Sequence, residues 1–121
     1  MEVSRALAEM YAPLANGGGD FLSDRRVDEL GRVQLRTPDL VLGLPMRWRL
    51  GYHHAFGPGR AARRAFGHYG YGGSGGWADP DSGLSVGFVT NRIGSLTTPL
   101  GDLNLFRLSR MVHDCVNRPA N

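Results

Sequence analysis

The most informative stretch of this sequence is Phe66-Gly67-His68-Tyr69-Gly70-Tyr71-Gly72-Gly73-Ser74-Gly75-Gly76. Six of these eleven residues are glycine, and one histidine and two tyrosines lie among them. Because glycine has no Cβ, another group can approach its backbone closely, and positive φ values cost little. A strand with glycines beside a histidine therefore predicts backbone N–H groups presented to a ligand. A flexible glycine loop is the alternative, and the residues alone leave both open.

The residues around this stretch predict an antiparallel hairpin. Residues 65–71 and 73–79 have an extended pattern, with a bend or bulge expected at the glycines between them. Asp79-Pro80-Asp81-Ser82-Gly83 is a turn signal, since proline restricts φ, aspartate bonds the local backbone and glycine adopts positive φ. Residues 84–91 then form the returning strand.

Helices are predicted at both ends of the chain. Apolar residues recur at helical spacing from Val3 to Leu14, which predicts the first helix. Ser23 is a suitable N-cap for a second, short helix over residues 24–30. Asp102 marks the start of a final amphipathic helix that ends near Arg118. The only cysteine of the chain, Cys115, lies in this helix and is expected to be a buried apolar residue, with a reactive thiol as the alternative.

Between these helices, apolar and polar residues alternate from Met46 to His53, which predicts a half-buried strand over residues 46–54. Residues 32–45 show no sustained period and are expected to form a long connection with a possible short strand. The predicted fold class is α+β: an antiparallel sheet of about three strands (46–54, 65–79 and 84–92), flanked by N- and C-terminal helices. We expect residues 1–121 to form one domain.

The composition argues against several kinds of partner. The chain carries a net charge of +3, and its 14 basic residues, all arginine, are spread from Arg5 to Arg118 rather than concentrated in a stripe, so nucleic-acid binding is not expected. No apolar run reaches transmembrane length and the N-terminus lacks a signal-peptide pattern, which predicts a soluble, cytoplasmic protein without a membrane partner. His53 and His54 are adjacent and would face opposite sides of a strand, and the other possible ligands are scattered, so a metal site is not expected. No cofactor is expected either.

The glycine block resembles the third conserved motif of the serine β-lactamase and penicillin-binding-protein superfamily, in the His-x-Gly form of its esterase-like members. The resemblance continues through the hairpin to Asn91-Arg92, and upstream it includes Arg5–Gly18, which is similar to a helix of that family. It implies a β-lactamase-like fold whose motif strand lines the active site. It also implies hydrolysis of an ester or amide through an acyl-enzyme.

The resemblance implies a role for three residues of the motif. His68 would point into the active site, where penicillin-recognising members carry lysine, and Gly70 would let the acyl group lie against the strand. The backbone N–H of Tyr71 would be an oxyanion-hole donor, a contribution of about 3–4 kcal/mol to the transition state. Tyr69 replaces a threonine or small residue, which favours ester substrates over β-lactams. The alternative for His68 is a strand histidine satisfied by local hydrogen bonds.

Two other motifs of that family are absent from this sequence. The chain contains no lysine, so no Ser-x-x-Lys nucleophile motif exists, and no tyrosine has asparagine two residues later. We therefore expect residues 1–121 to be a single partial domain, the C-terminal portion of such a hydrolase, inactive alone. Its partner would be a small-molecule ester or amide once the domain is completed, and an exposed sheet edge could support self-association. The alternative is a non-catalytic binding or association module derived from that family.

Overall fold

The computed structural model describes residues 2–59, 62–94 and 101–118. Within these residues the fold class is α+β, as predicted. No helix among them is long and apolar enough to cross a membrane. In chain order the elements are α1 (Glu2–Ala15), α2 (Asp24–Gly31), β1 (His53–His54), β2 (Phe66–Tyr69), β3 (Gly75–Asp79), β4 (Leu84–Phe88) and α3 (Asn104–Val116).

The strands form one antiparallel sheet in the order β1-β2-β3-β4. In β2 and β3, His68 lies opposite Gly76 and Tyr69 opposite Gly75. The prediction of one bent strand over residues 65–79 was therefore wrong, because the glycines between the two halves form a hairpin turn and reverse the chain. This reversal gives the described sheet four strands instead of about three.

Each face of the sheet is covered by one helix. Alternation along β3 places Trp77 on one face with Leu105 of α3, and Ala78 on the other face with Tyr11 and Leu14 of α1. Trp77 and Ala78 are completely buried. The predicted hairpin is thus the centre of a core that lies on both faces of the sheet.

Glycines in β3 and β4 allow α1 to approach the sheet closely. A Cβ at Gly76 would lie 2.6 Å from Cε2 of Tyr11, and a Cβ at Gly87 would lie 2.6 Å from the backbone nitrogen of Ala8. Side chains at these positions would push the helix away from the strands. Part of the glycine content therefore serves packing.

The predicted strand over residues 46–54 is only partly present. Its paired part is the two-residue β1, and Trp48 forms an isolated bridge with Leu35. The backbone has positive φ at Arg47 (51°) and Gly51 (80°), which interrupts an extended strand. The burial also departs from the expected alternation, since Arg49 is buried and Leu50 is exposed.

The starts of the second and third helices agree with the sequence prediction better than the strand over residues 46–54 does. The Ser23 hydroxyl accepts a hydrogen bond from the Arg26 backbone N–H at the start of α2. At the start of α3, a carboxylate oxygen of Asp102 accepts from the Asn104 N–H at 2.7 Å. The expectation of a buried Cys115 was wrong: this residue lies on the exposed side of α3.

Candidate active site

A cleft of about 250 Å³ opens beside the motif strand β2. We call it the His68 cleft. Apolar side chains form most of its wall, and two histidines, two tyrosines and one carboxylate complete it. The lining residues are Leu42, Met46, His53, Phe56, His68, Tyr69, Tyr71, Asp102, Leu103 and Phe106.

His68 lies in the third position of β2, and its side chain is exposed at the cleft. Its ring centroid is 5.4 Å from that of His53, and the two planes are inclined by 58°. The structure thus places the predicted site histidine on the strand and in the cleft. Its action on a substrate stays a prediction.

Gly70 and Tyr71 occupy the turn that joins β2 to β3. The Gly73 N–H donates to the Gly70 carbonyl at 2.9 Å, and the Gly70 N–H donates to the Ser74 carbonyl at 2.8 Å. Gly73 has φ of 98°, which glycine adopts readily. These bonds make Tyr71 the second residue of a tight four-residue turn, where its peptide group is held in place.

Asp102 connects this turn to α3. Its backbone N–H donates to the Tyr71 carbonyl at 3.1 Å, while its side chain accepts from the Asn104 N–H. The peptide that follows Tyr71 is therefore fixed to the beginning of the helix. This couples the geometry of the candidate oxyanion-hole residue to the packing of α3.

His53 organises the open edge of β2. Because β1 pairs with only two residues of β2, no strand in the described part of the chain covers that edge at Tyr69. Instead, Nε2 of His53 accepts a hydrogen bond from the Tyr69 N–H at 3.0 Å. Nδ1 lies 2.8 Å from the His54 carbonyl oxygen, so Nδ1 carries the proton and Nε2 is the acceptor.

The environment of His53 favours this neutral form. Burial lowers the pKa of His53, and the nearby His68 and Arg49 lower it further, against an opposing hydrogen bond to the His54 carbonyl. A neutral ring keeps the lone pair that the Tyr69 N–H requires. His53 is thus suited to position the motif strand and not to carry a charge near neutral pH.

Tyr69 is bound to α3 through its phenol. The hydroxyl donates to Oγ of Ser109 at 3.1 Å, the indole N–H of Trp77 donates to the same oxygen at 2.7 Å, and Ser109 donates to the Leu105 carbonyl. Burial raises the pKa of Tyr69 to about 12, although hydrogen bonds to Ser109 and Gly57 oppose the rise. The phenol therefore stays protonated at neutral pH and cannot serve as a general base there.

The remaining candidates have structural partners. The buried Asp79 carboxylate accepts from the Asp81 N–H and the Ser82 hydroxyl, as expected for a turn residue. Trp77 is in the core, and Trp48 donates to a carboxylate oxygen of Asp39 at 3.0 Å. Among the described residues, no three His, Cys, Asp or Glu side chains converge as a metal site would require.

The sequence matches the family model described as Beta-lactamase over residues 3–104. The chain belongs to the beta-lactamase family. The match includes α1, the complete sheet and the start of α3, so the resemblance recognised in the glycine block is confirmed. The His68 cleft thus lies beside a strand of a beta-lactamase-like fold.

Relatives within this family carry esterase and penicillin-binding-protein names. A curated relative, "Esterase/beta-lactamase LipL" of Mycobacterium tuberculosis (strain ATCC 25618 / H37Rv), is 39 % identical over an alignment that covers 88 % of this chain and 26 % of the relative. A family VIII carboxylesterase structure superposes with a TM-score of 0.76 at 34 % identity, covering 93 % of this chain and 31 % of that one. A penicillin-binding-protein homolog from Caulobacter crescentus gives a TM-score of 0.77 at 32 % identity, covering 91 % and 31 %. The chain therefore spans less than a third of the length of these relatives.

Sequence reasoning missed three cleft residues: His53, Asp102 and Phe106. His53 was considered only as half of a metal-binding pair, and Asp102 only as a helix start. The sequence feature that pointed to His53 was its position at the end of the alternating segment from Met46 to His53. Its contact with the Tyr69 backbone depends on how short β1 is, which the alternation did not reveal.

Proposed function

We propose that this chain forms the motif-strand wall of an ester-hydrolysing active site in an esterase-like member of the beta-lactamase family. In this proposal the Ser-x-x-Lys nucleophile comes from a segment outside these 121 residues. The serine attacks the ester carbonyl, an acyl-enzyme forms as the alcohol leaves, and water then releases the acid. The chain's own residues orient the acyl group and stabilise the oxyanion.

The hydrogen-bonded glycine turn beside the His68 cleft is the observation that carries this proposal. N–H groups on one side of a strand recur at every second residue. On the β1 side of the strand, the Tyr69 N–H is bound by His53, and the amide that we assign as the oxyanion donor belongs to Tyr71, two residues further along the chain. The turn bonds and the Asp102–Tyr71 bond support a rigid position for this amide, as an oxyanion donor requires.

His68 and Gly70 flank that amide in the proposed site. The His68 ring lies at the cleft next to the neutral His53, where it would present a polar group to the bound ester. A Cβ at Gly70 would lie 2.8 Å from the Ser74 carbonyl oxygen, so glycine is also required there by the turn itself. Gly70 thus has a structural role in the turn, and the proposal adds a second role, which is to let the acyl group lie against the strand.

The cleft lining favours an ester with an apolar acyl group. Leu42, Met46, Phe56, Leu103 and Phe106 contribute apolar walls, and the Tyr69 hydroxyl is bonded to Ser109. The chain also lacks the lysine with which β-lactam-binding relatives hold a substrate carboxylate. These features support ester hydrolysis over β-lactam recognition.

The first test uses the isolated chain with nitrophenyl esters and a chromogenic cephalosporin. We expect no hydrolysis above a heat-inactivated control, because the sequence lacks the lysine that activates the nucleophile. Turnover that a serine-directed phosphonate abolishes would contradict the proposal.

The second test replaces the corresponding region of the family VIII carboxylesterase with this chain. In an active chimera, Tyr71→Pro removes the proposed amide donor together with the phenol ring, and proline is favoured at the second position of a tight turn. We expect a loss in kcat of about 10²–10³-fold, the usual effect of deleting an oxyanion-hole donor. The matched control Tyr71→Ala keeps the N–H and should lose far less; equal losses in both variants would refute the role of the amide.

A further inference from the structure

Another open cleft, of about 580 Å³, shares Phe56 with the His68 cleft. We call it the arginine cleft. Pro45, Arg47, His54, Phe56, Gly59 and Arg63 line it. Phe56 lines both clefts, with its ring stacked on His53 at 6.1 Å and edge-on to His54 at 5.1 Å.

Among the described residues, the cations that line the arginine cleft have no anionic partner. In the part of the chain that the structure describes, Arg47 and Arg63 take part in no ion pair, whereas Arg64 contacts both Asp28 and Asp81. Behind the cleft, the buried Arg49 donates to the carbonyl oxygens of Gly31 and Arg47. Positive charge is therefore concentrated here without a neutralising carboxylate.

The effect of this charge is visible at Arg49. Burial, followed by the repulsion of Arg47 and Arg36, lowers the pKa of Arg49 to about 10. Clustered cations of this kind destabilise one another unless an anion joins them. An anion in the cleft would offset the repulsion that Arg47 exerts on Arg49.

Arg47 is also held in an unusual backbone conformation. It is the one described non-glycine residue with positive φ, at 51°. Residues other than glycine, asparagine and aspartate rarely adopt this region, and such conformations concentrate at ligand sites. Here the conformation accompanies a guanidinium that lines an open cleft.

His54 contributes a neutral ring to the wall of this cleft. The residue is only 8 % exposed, and its Nδ1 atom is shielded from solvent without any hydrogen-bond partner. Burial and the neighbouring Arg49 and Arg47 lower the pKa of His54 to about 4, so the ring is neutral. The His54 ring therefore adds no positive charge to the cleft, and its position in the wall makes it a reporter of ligand binding.

From this geometry we propose that the arginine cleft is a binding site for a small oxyanion, a phosphate or carboxylate group held between Arg47 and Arg63. The planar guanidinium group matches the oxygen spacing of both groups and forms charge-assisted hydrogen bonds with them. The proposal concerns binding alone and does not depend on the proposed ester hydrolysis.

The test is an NMR titration of the isolated chain at constant ionic strength. Sodium phosphate and sodium succinate are added separately, and sodium chloride serves as the blank, while the arginine Nε–H and His54 ring signals are followed. We expect saturable shifts of the Arg47, Arg63 and His54 signals with at least one of the two oxyanions. The oxyanion that binds with the lower dissociation constant shows whether the cleft prefers a phosphate or a carboxylate group.

Two variants localise the binding, and one controls for net charge. Arg63→Gln and Arg47→Asn should each raise the dissociation constant about tenfold, the loss of one charge-assisted contact. The exposed helix residue Arg107 is the control, and Arg107→Gln should leave binding unchanged. Because asparagine tolerates positive φ, Arg47→Asn should keep or raise the melting temperature, so its weaker binding would not reflect unfolding.

Three results would overturn the proposal. The first is a set of shifts that rise linearly and match those with chloride. The second is equal weakening by Arg107→Gln, which would show general charge attraction. The third is unchanged binding in both Arg63→Gln and Arg47→Asn with the fold intact.

Discussion

The hairpin body (β2, β3 and β4 with α1 and α3) and the arginine-rich segment (residues 32–54) are organised differently. In the hairpin body, buried polar groups have partners from other elements, as Ser109 shows with Trp77 and Tyr69. The arginine-rich segment has one isolated bridge and one two-residue strand, and it carries the positive φ of Arg47 and the His54 Nδ1 atom that has no hydrogen-bond partner. The difference indicates that the body determines the fold, whereas the segment presents groups that a ligand could use.

The largest expected effect is the loss of the central indole of the hairpin body. Trp77→Ala should lower the free energy of unfolding by about 3–5 kcal/mol, since loss of the completely buried ring leaves a cavity and removes one buried hydrogen bond to Ser109. Trp48→Ala in the arginine-rich segment should cost less than half as much, because Trp48 is only half-buried. Urea unfolding of both variants measures the two losses in the free energy of unfolding. Equal losses would show that the two regions do not differ in their contribution to stability.

Acid should destabilise the protein through the arginine-rich segment. The pKa of His54 falls from 6.5 to about 4 on folding, so the unfolded chain binds the proton more readily. Stability is then complete above pH 6.5 and is lost as the pH falls from 6.5 through about 4, by up to about 3 kcal/mol. Burial also lowers the pKa of His53, which adds loss in the same direction.

Urea midpoints between pH 7 and pH 4.5 measure this dependence. His54→Phe removes the titrating ring and should flatten the profile. The lowered pKa of Asp39 contributes mainly below its usual value of 3.8, outside this range. A wild-type profile without slope between pH 6.5 and 4.5 would contradict the prediction.

Ser109→Ala should have an intermediate effect on the hairpin body. The substitution removes the acceptor of the buried Trp77 N–H and of the Tyr69 hydroxyl, at a cost of about 2 kcal/mol. Ser85→Ala on β4 is the matched control and should change stability by less than about 0.5 kcal/mol. If the two serines prove equivalent in thermal melts, the bonds of Ser109 do not stabilise the body.

The smallest effect on stability is expected at the exposed tip of the arginine-rich segment. Leu40 and Val41 are almost entirely exposed, so changing both to serine should alter the free energy of unfolding by less than about 0.5 kcal/mol. We propose that this apolar tip, together with the open edge of β2, promotes self-association. Light scattering and a hydrophobic dye should show association of the wild-type chain and less in the double variant. A monomeric, dye-negative wild-type chain would contradict the proposal.

The hairpin body could be predicted from sequence because its signals are local. The Asp79-Pro80 turn, the Ser23 cap and the helical periodicity each depend on residues a few positions apart, and each is present in the structure. The glycine turn was predicted as a bend because glycine permits both a bulge and a reversal. Only pairing of residues 66–69 with 75–78 distinguishes these two conformations.

The candidate site could be predicted in part. The motif placed His68 and the turn residue Tyr71 beside a cleft, as the structure does, and their chemical roles stay predictions. The acceptor for the Tyr69 N–H could not be found, because it comes from a neighbouring strand that ends after two residues. The alternation from Met46 to His53 predicted a longer strand, which the positive φ of Arg47 prevents.

By itself, the sequence determined the family, the α+β class, the hairpin and the helix boundaries, because each depends on short-range geometry or on a recognisable motif. Tertiary structure alone decided that His53 holds the edge of β2, that Ser109 joins α3 to Trp77 and Tyr69, and that Arg47, His54 and Arg63 line one cleft. The physical reason is sequence distance. Tyr69 and Ser109 are 40 residues apart, and Tyr69 and His53 are 16 apart, so their contacts exist only after the sheet and α3 have packed together.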